Sequence, residues 1–255
     1  MKVYWLDLGW MEADRNYMFA GASRGTVDNK HAPSVWGRVP IERAYIDHPI
    51  GKIMIDAGVN AGLRQSRLNR YVADPEQTLE YQLSLCGVKP EDIDYLIVTH
   101  MHVDHIGEID KFKNAKVIVQ RSELIQALMA AHTHSDGSYV REDVDVDADF
   151  MVIEGDYQLA DDIELLHLPG HTDGQMGVML TLSDGMYIFT SDAINTFEAY
   201  GPPAVAPAKA PWDSKAWRAS VERVRRIVTE TGAKLIFGHD QSQYFDMKKA
   251  QEYYE

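Results

Sequence analysis

The amino-acid sequence predicts an α/β fold in which two β-sheets are covered by outer helices. Short apolar, β-branched runs alternate with a few helical segments, in the order strands, helix, strand, helix, strands, helix, strand. The 255 residues are 45% hydrophobic, which is enough to bury a sizeable core. Glycine and proline are spread evenly, without a repeat or a linker, so we expect a single domain over residues 1–255.

The first half of the chain begins with strands. Residues 3–8, 44–48 and 52–56 have strand character, and the turn at residues 49–51 predicts a hairpin between the last two. Residues 20–40 contain five glycines and prolines and are predicted to form a long loop. A helix is predicted over residues 78–85, because Gly87 ends the apolar pattern and Pro90 separates it from the next apolar run.

The middle of the chain places a buried strand before its most polar motif. The run YLIVT at residues 95–99 is typical of a buried strand, and α/β folds often place chemistry just after such a strand. A strand over residues 117–119 and a helix over 122–131 come next, with Glu123 near the helix start, where a negative charge is favourable. The remaining predicted elements are strands over 163–168, 177–182, 186–190 and 234–237, a hairpin turn at 183–185, and a helix over 214–231 that ends at Gly232.

Composition excludes several classes of protein. The 39 acidic and 25 basic residues give a net charge of −14, which repels phosphate backbones, so we expect no nucleic-acid partner. Cys86 is the only cysteine, which excludes a disulfide framework and favours a core role for this thiol. Asp7 interrupts the first apolar run, and no uncharged stretch approaches the roughly 18 residues of a membrane span. We therefore expect a cytoplasmic protein with no membrane partner.

Two segments leave more than one interpretation open. Residues 141–149 carry five carboxylates, and a solvated loop is favoured over a cation site because a calcium loop would need a glycine and a terminal glutamate. The N-terminal loop and the segment around Trp212 hold more apolar bulk than a solvated loop needs. These side chains could line a substrate pocket, form a homodimer contact or close the core. In the N-terminal loop they are Met11, Tyr17, Met18, Phe19 and Trp36.

The segment THMHVDHIGE at residues 99–108 presents four potential metal ligands within six positions. His100, His102 and Asp104 would project to one side of an extended segment, whereas His105 must turn where the strand ends. Imidazole nitrogens and carboxylate oxygens are the donors that zinc and similar divalent ions prefer. The pattern therefore favours a metal site for two adjacent ions over a solvated histidine-rich turn.

Three further donors come directly after predicted strands. They are His171 in PGHT, Asp192 in TSDA and His239 in FGHD. Each of them alone is more often a satisfied polar residue than a ligand, but three recurrences of the same arrangement support one another.

These motifs resemble those of the metallo-β-lactamase superfamily, whose pattern is HxHxDH followed by a distant histidine, an aspartate and a last histidine. The resemblance covers the whole chain, and the segments IVQRSEL, VIEGDYQL and ELLHLPGHTDG look most like the N-acyl homoserine lactonase group. The resemblance implies an αββα sandwich of two mixed β-sheets flanked by helices, with the site at one edge of the sheets.

The resemblance also implies a dinuclear zinc centre. His100, His102 and His171 would hold one ion, Asp104, His105 and His239 the other, and Asp192 would bridge both. A hydroxide between the ions would be the nucleophile, and Asp104 would pass a proton to the leaving oxygen. Iron, manganese or cobalt could occupy the same donors.

Two positions depart from the lactonase pattern. Asn195 stands where the lactonases carry a tyrosine whose hydroxyl helps to hold the substrate carbonyl, and Tyr200 in the same loop could compensate or simply pack. Glu108 stands where relatives usually keep a small residue. The other five histidines are predicted to be structural or solvent-facing: His31, His48, His132, His134 and His167.

The expected function is hydrolysis of a small lactone or related ester of the N-acyl homoserine lactone type. A site adapted to an aryl ester, an activated aryl ether or a thioester is the first alternative, since Asn195 replaces the tyrosine. The second is a binding module that uses its metals without hydrolysis. A nuclease is disfavoured by the acidic charge.

Overall fold

The computed structural model describes residues 1–18, 27–28, 30–31, 35–60, 69–202, 204 and 213–255. Within these residues, twelve strands form two mixed sheets. The larger sheet has the strand order β4-β1-β2-β3-β5-β6-β7. Its strands are β1 (Lys2–Asp14), β2 (Trp36–His48), β3 (Gly51–Ile55), β4 (Asn69–Val72), β5 (Tyr95–Ile97), β6 (Lys116–Gln120) and β7 (Asp149–Ile153). The pairs from β4 to β3 are antiparallel, and those from β3 to β7 are parallel.

The smaller sheet has the strand order β12-β11-β10-β9-β8. Its strands are β8 (Tyr157–Ala160), β9 (Ile163–His167), β10 (Met176–Leu182), β11 (Gly185–Ser191) and β12 (Lys234–Phe237). Only the β11–β12 pair of this sheet is parallel. The helices are α1 (Arg15–Met18), α2 (Leu79–Leu85), α3 (Val103–Ile106), α4 (Arg121–Thr133), α5 (Arg141–Val144), α6 (Phe197–Tyr200), α7 (Ser214–Thr231) and α8 (Gln241–Asp246).

Three apolar clusters explain why these elements form four layers. Alternating side chains of the larger sheet, such as Ile53 and Ile55, pack between the sheets against residues such as Val178 of β10. Its other face packs against α2 and α4. The outer face of the smaller sheet packs against α7, where Trp217 is almost fully buried. The order is therefore helices, sheet, sheet, helix, and the predicted αββα sandwich is confirmed. Within the described ranges, every helix is too short or too polar to span a bilayer.

Most predicted elements are present. The hairpin of β2 and β3, the hairpin of β10 and β11, and the helix that ends at Gly232 are confirmed. The strands β4, β7 and β8 were not predicted. The loop predicted over residues 20–40 is wrong from Trp36 onward, where β2 begins. The proline at position 40 is tolerated in this strand because the ladder to β1 is irregular there, so the missing N–H disturbs little.

The structure bears on both segments for which the sequence left more than one interpretation open. Residues 141–144 form the helical turn α5, and Asp143 is buried, so the predicted solvated loop over 141–149 is wrong for its first four residues. Met11 belongs to β1 and packs against the core, whereas Trp36 is 57% exposed. Phe19 and Trp212 lie outside the described residues. Cys86 is half-buried at the end of α2, where burial raises the pKa of its thiol to about 11, as suits a packing role.

Candidate metal centre

The ends of four strands bring all seven predicted ligands together. His100 follows β5, His171 follows β9, Asp192 follows β11 directly and His239 follows β12. The expectation that Asp104 continues an extended segment is wrong, because His102 caps the short helix α3. That turn carries both Asp104 and His105. One helical turn is too short to leave an apolar periodicity in the sequence, which explains why it was not predicted.

Close packing at Gly238 brings His239, the last ligand in the sequence, next to Asp192. A Cβ atom at Gly238 would lie 2.8 Å from the Ser191 carbonyl carbon and 3.0 Å from Asp192 Oδ1. The turn that carries Asp192 is also held by Trp217, whose indole donates a hydrogen bond of 2.9 Å to the Ala193 carbonyl. Only glycine before His239 allows the ends of β11 and β12 to approach this closely.

The first group of donors, which we call the three-histidine half, consists of His100, His102 and His171. Their ligand atoms lie within 4.8 Å of one another. The His102 Nδ1 and His171 Nε2 atoms are 3.1 Å apart, and His171 Nε2 is 3.3 Å from Asp192 Oδ2. Ring nitrogens at these separations can converge on one divalent ion.

The second group, which we call the mixed half, consists of Asp104, His105 and His239. His239 Nε2 lies 3.2 Å from Asp192 Oδ1 and 3.5 Å from Asp104 Oδ2. His105 Nε2 lies 3.5 Å from the same Asp192 oxygen. One carboxylate oxygen of Asp192 therefore faces each half, which is the arrangement that a bridging ligand requires.

The donor set fits a pair of divalent ions. His100 Nε2, His105 Nε2 and Asp192 Oδ1 are buried, and none has a hydrogen-bond partner among the described residues. Leaving such atoms unpaired is costly, whereas a cation would satisfy all of them. His239 Nδ1 lies 2.8 Å from the Pro40 carbonyl, which can only accept, so this nitrogen carries a proton and Nε2 is the atom available to bind an ion.

A buried carboxylate behind the site orients His105. Asp56 Oδ2 lies 2.8 Å from His105 Nδ1, and the two oxygens of Asp56 also accept from the Thr99 amide and hydroxyl, both at 2.7 Å. The Arg43 guanidinium is fully buried beside Asp56 and donates to the Asp104 carbonyl at 2.5 Å. Sequence reasoning identified Asp56 only as a strand end and did not single out Arg43. Supporting contacts of this kind fix the tautomer of a ligand histidine.

The charges of the two halves differ. Burial, followed by the neighbouring imidazoles, holds the pKa of His100 well below its usual value. Burial and His171 lower the pKa of His102 to about 3, and burial also lowers the pKa of His171. These three rings are therefore neutral at pH 7, which is the form that binds a metal ion.

The mixed half is dominated by carboxylates. Burial and Arg43 lower the pKa of His105, but Asp104, Asp56 and Asp192 together raise it to about 9. Burial opposes protonation of His239 as well, yet Asp192 and Asp104 raise its pKa above the usual value. In the metal-free protein, the acidic neighbours therefore favour the cationic form of both rings.

The residues that depart from the lactonase pattern have different surroundings. The Asn195 carbonyl accepts from the His239 amide at 2.8 Å, and its Oδ1 is buried without a partner in the described part of the chain. The Tyr200 ring packs 6.2 Å from Phe237, with the Arg225 guanidinium 5.4 Å from its centre. Glu108 forms an ion pair of 2.8 Å with Lys111. A catalytic role for Asn195 or Tyr200 stays a prediction.

The histidines predicted to lie outside the metal set belong to none of the three donor groups. His48 pairs with Asp162 at 2.9 Å, His167 lies 3.0 Å from the Asp173 carbonyl and His132 lies 3.7 Å from Asp145. His31 and His134 are exposed. The segment 141–149 contributes to none of the three groups either.

The layered fold and the donor cluster at its edge define the class of protein. Residues 44–239 match the family model of the metallo-β-lactamase superfamily, and the chain belongs to that superfamily. The expected resemblance is thereby confirmed, and the His and Asp groups are a candidate site for divalent metal ions.

Within the superfamily, the chain is similar to lactonases. An N-acyl homoserine lactonase of Bacillus sp is 32% identical over 239 residues, which cover 89% of this chain and 92% of the relative. The N-acyl homoserine lactonase of Bacillus cereus is 27% identical and the match covers 99% and 98% of the two chains. These names agree with the expectation of a hydrolase from the lactonase group.

A solved structure extends the comparison to the fold. An N-acyl homoserine lactone hydrolase with the product N-hexanoyl-L-homoserine bound at its catalytic metal centre superposes with a TM-score of 0.85. It is 24% identical, and the match covers 99% of this chain and 98% of that one. At this identity the comparison shows a shared fold.

Proposed function

We propose that the protein is a dinuclear zinc hydrolase that opens small lactones of the N-acyl homoserine type. The observation that carries the proposal is the pair of donor groups joined through Asp192, with buried donor atoms that lack a hydrogen-bond partner among the described residues. The N-acyl homoserine lactonases among its relatives support the choice of substrate. The three-histidine half would hold one zinc ion and the mixed half the other.

Two bound zinc ions would polarise the lactone carbonyl and supply hydroxide at neutral pH. Some residues of the chain would orient the ligands of these ions, and another would transfer a proton. Asp56 and the Pro40 carbonyl keep His105 and His239 protonated at Nδ1, so that each presents Nε2 to the site. Asp104 borders the site with its side chain 11% exposed, and we assign it the relay of the proton from the attacking water to the leaving alkoxide.

A substrate panel tests this proposal. The purified protein would be loaded with zinc and assayed with acyl homoserine lactones of several chain lengths, aryl esters and thioesters. We expect lactones to have the highest kcat/KM. If no lactone is opened while an aryl ester or thioester is turned over, the proposed substrate is wrong and the alternative electrophile is correct. One observation favours that alternative. Asn195 stands in place of the tyrosine, and its carboxamide oxygen has no hydrogen-bond partner among the described residues.

Removing one ligand tests the metal centre separately from the substrate. His102→Ala should reduce bound zinc and lower kcat/KM by more than about 100-fold, since even supporting residues cost 10- to 100-fold. His134→Asn is the matched control, because His134 is exposed and asparagine tolerates its left-handed backbone. Full turnover by His102→Ala would contradict the proposed centre. Metal-loaded protein that hydrolyses nothing in the panel would instead favour a binding module.

A further inference from the structure

Glu123 is a fully buried carboxylate with four hydrogen-bond donors around it. It lies in the first turn of α4, and its Oε1 accepts from the Met101 amide at 2.7 Å and from the Tyr139 hydroxyl at 3.3 Å. Its Oε2 accepts from the Thr172 hydroxyl at 2.5 Å and from the Gly174 amide at 3.2 Å. All four contacts reach outside the helix. The carboxylate therefore binds segments of the chain other than its own.

These partners lie next to the metal ligands in the sequence. Met101 separates His100 from His102, and Thr172 directly follows His171. A single side chain thus holds the two segments that supply the three-histidine half. Hydrogen bonds from buried N–H groups to a charged acceptor are among the stronger ones, so both segments are held firmly.

Packing reinforces the same connection. The Tyr139 ring lies 4.7 Å from the His102 ring, so the residue that donates to Glu123 also supports a ligand directly. At Gly174, a Cβ atom would lie 2.3 Å from the Glu123 Cβ and 2.5 Å from its amide nitrogen. The segment after His171 therefore lies against the first turn of α4, and there is no room for a side chain at position 174.

The mixed half has other supports. His105 is held by Asp56, and His239 is held by the Pro40 carbonyl, and neither of these hydrogen bonds involves Glu123. We propose that Glu123 is a positioning residue for one half of the centre. Its carboxylate sets the spacing between the His100–His102 segment and His171, and thereby the affinity for the ion held there. This inference rests on the proposed zinc centre.

The two backbone donors predict that glutamine at position 123 would lose one of these contacts. The Met101 and Gly174 amides bind different oxygens and can only donate. A glutamine offers one oxygen and one NH2 group, so one of the two backbone amides would face another donor. Glu123→Gln keeps the volume of the side chain while breaking one of the two connections.

The test is zinc binding by the full-length chain, without reference to turnover. Metal-free wild type and Glu123→Gln would be titrated with zinc against a competing chelator, and the two stepwise constants compared. We expect one step to weaken by about 10- to 100-fold, as for other residues that support a metal ligand. The other step should stay within the error of the wild-type value. A His239→Ala background, which leaves only the three-histidine half complete, should retain the full effect.

A second variant keeps the proposal testable if Glu123→Gln fails to fold. Thr172→Val removes one donor at nearly constant volume, and it should weaken the same step by about 2- to 10-fold. Glu230→Gln on the exposed side of α7 is the matched control and should leave both steps unchanged.

Three outcomes would overturn the inference. Wild-type constants in both variants would show that Glu123 does not position the ligands. Equal weakening of both steps with a lower thermal midpoint of the metal-free protein would show a general structural role. Wild type that binds fewer than two zinc ions would contradict the proposed centre itself, and that result is distinguishable because it appears before any substitution is made.

Discussion

The two halves of the candidate metal centre are built from different residue types. The three-histidine half is composed of neutral rings whose pKa values are lowered, chiefly by burial. The mixed half contains an aspartate and two histidines whose pKa values are raised by surrounding carboxylates. Without metal, carboxylates favour the cationic form of the rings in the mixed half, whereas the rings of the three-histidine half are neutral. We therefore expect metal removal to affect the two halves unequally.

The supports of the two halves differ as well. Glu123 on α4 holds the three-histidine half through backbone amides beside its ligands. Asp56, after β3, holds the mixed half by direct contact with the His105 ring. Because Glu123 and Asp56 lie on different elements, substitution of either one should weaken ion binding by its own half and leave the other half unchanged.

Among changes to the surroundings of the ligands, Asp56→Asn should produce the largest effect. The NH2 group of an asparagine would donate to His105 Nδ1, which would move the ring proton to Nε2, the atom that must bind the ion. The change also leaves Arg43 buried without its carboxylate neighbour. We expect about 10- to 100-fold weaker binding of the ion in the mixed half, together with a loss of roughly 3–5 kcal/mol of stability.

Stepwise zinc titration and thermal denaturation measure these two effects of Asp56→Asn. Weakening of the same zinc step in Asp56→Asn and in Glu123→Gln would show that the two halves do not have independent supports. We expect the two variants to weaken opposite steps and the double variant to weaken both.

Proton release on metal binding should differ between the halves. His105 has a pKa of about 9 in the metal-free protein, so at pH 7.5 it carries a proton that an incoming ion must displace. Affinity for the ion in the mixed half should therefore rise with pH and level off above about pH 9. The three-histidine half releases no proton near neutrality, because the pKa values of its rings lie below their usual range.

Calorimetry in buffers of different ionisation enthalpy measures the protons released at each step. We expect about one proton or more for the mixed half, since His239 also has a raised pKa, and none for the other. Equal release at both steps would show that the electrostatic contrast between the halves is wrong.

Much of the site could be predicted from sequence because its ligands are close in the chain or come directly after strands. The HxHxDH motif and the donors after β9, β11 and β12 are local patterns. The residues that hold these ligands in place show no such local pattern in the sequence. Glu123 and Thr172 are 49 positions apart, as are Asp56 and His105. Only the fold brings them together.

Prediction of the strands also depends on how clear the local apolar pattern is. Strands such as β5 and β6 are buried on both faces and stand out as apolar runs. In contrast, no residue of β8 is fully buried, and this strand has no clear alternation. The Glu at position 123 was visible as a helix-start residue, but its burial and its contacts with Met101 and Gly174 depend on tertiary packing.

Asn195→Tyr should have the smallest effect, and it concerns substrate rather than metal. Asn195 borders the mixed half, since its carbonyl accepts from the His239 amide, and its buried Oδ1 has no partner in the described chain. A tyrosine hydroxyl reaches farther than a carboxamide and would donate to a lactone carbonyl. Because one hydrogen bond is involved, we expect kcat/KM for acyl homoserine lactones to rise by about 2- to 10-fold relative to aryl esters. Both zinc steps should stay unchanged. An unchanged ratio of the two substrates would place position 195 outside the substrate contact, and a weakened zinc step would assign it to the support of His239 instead.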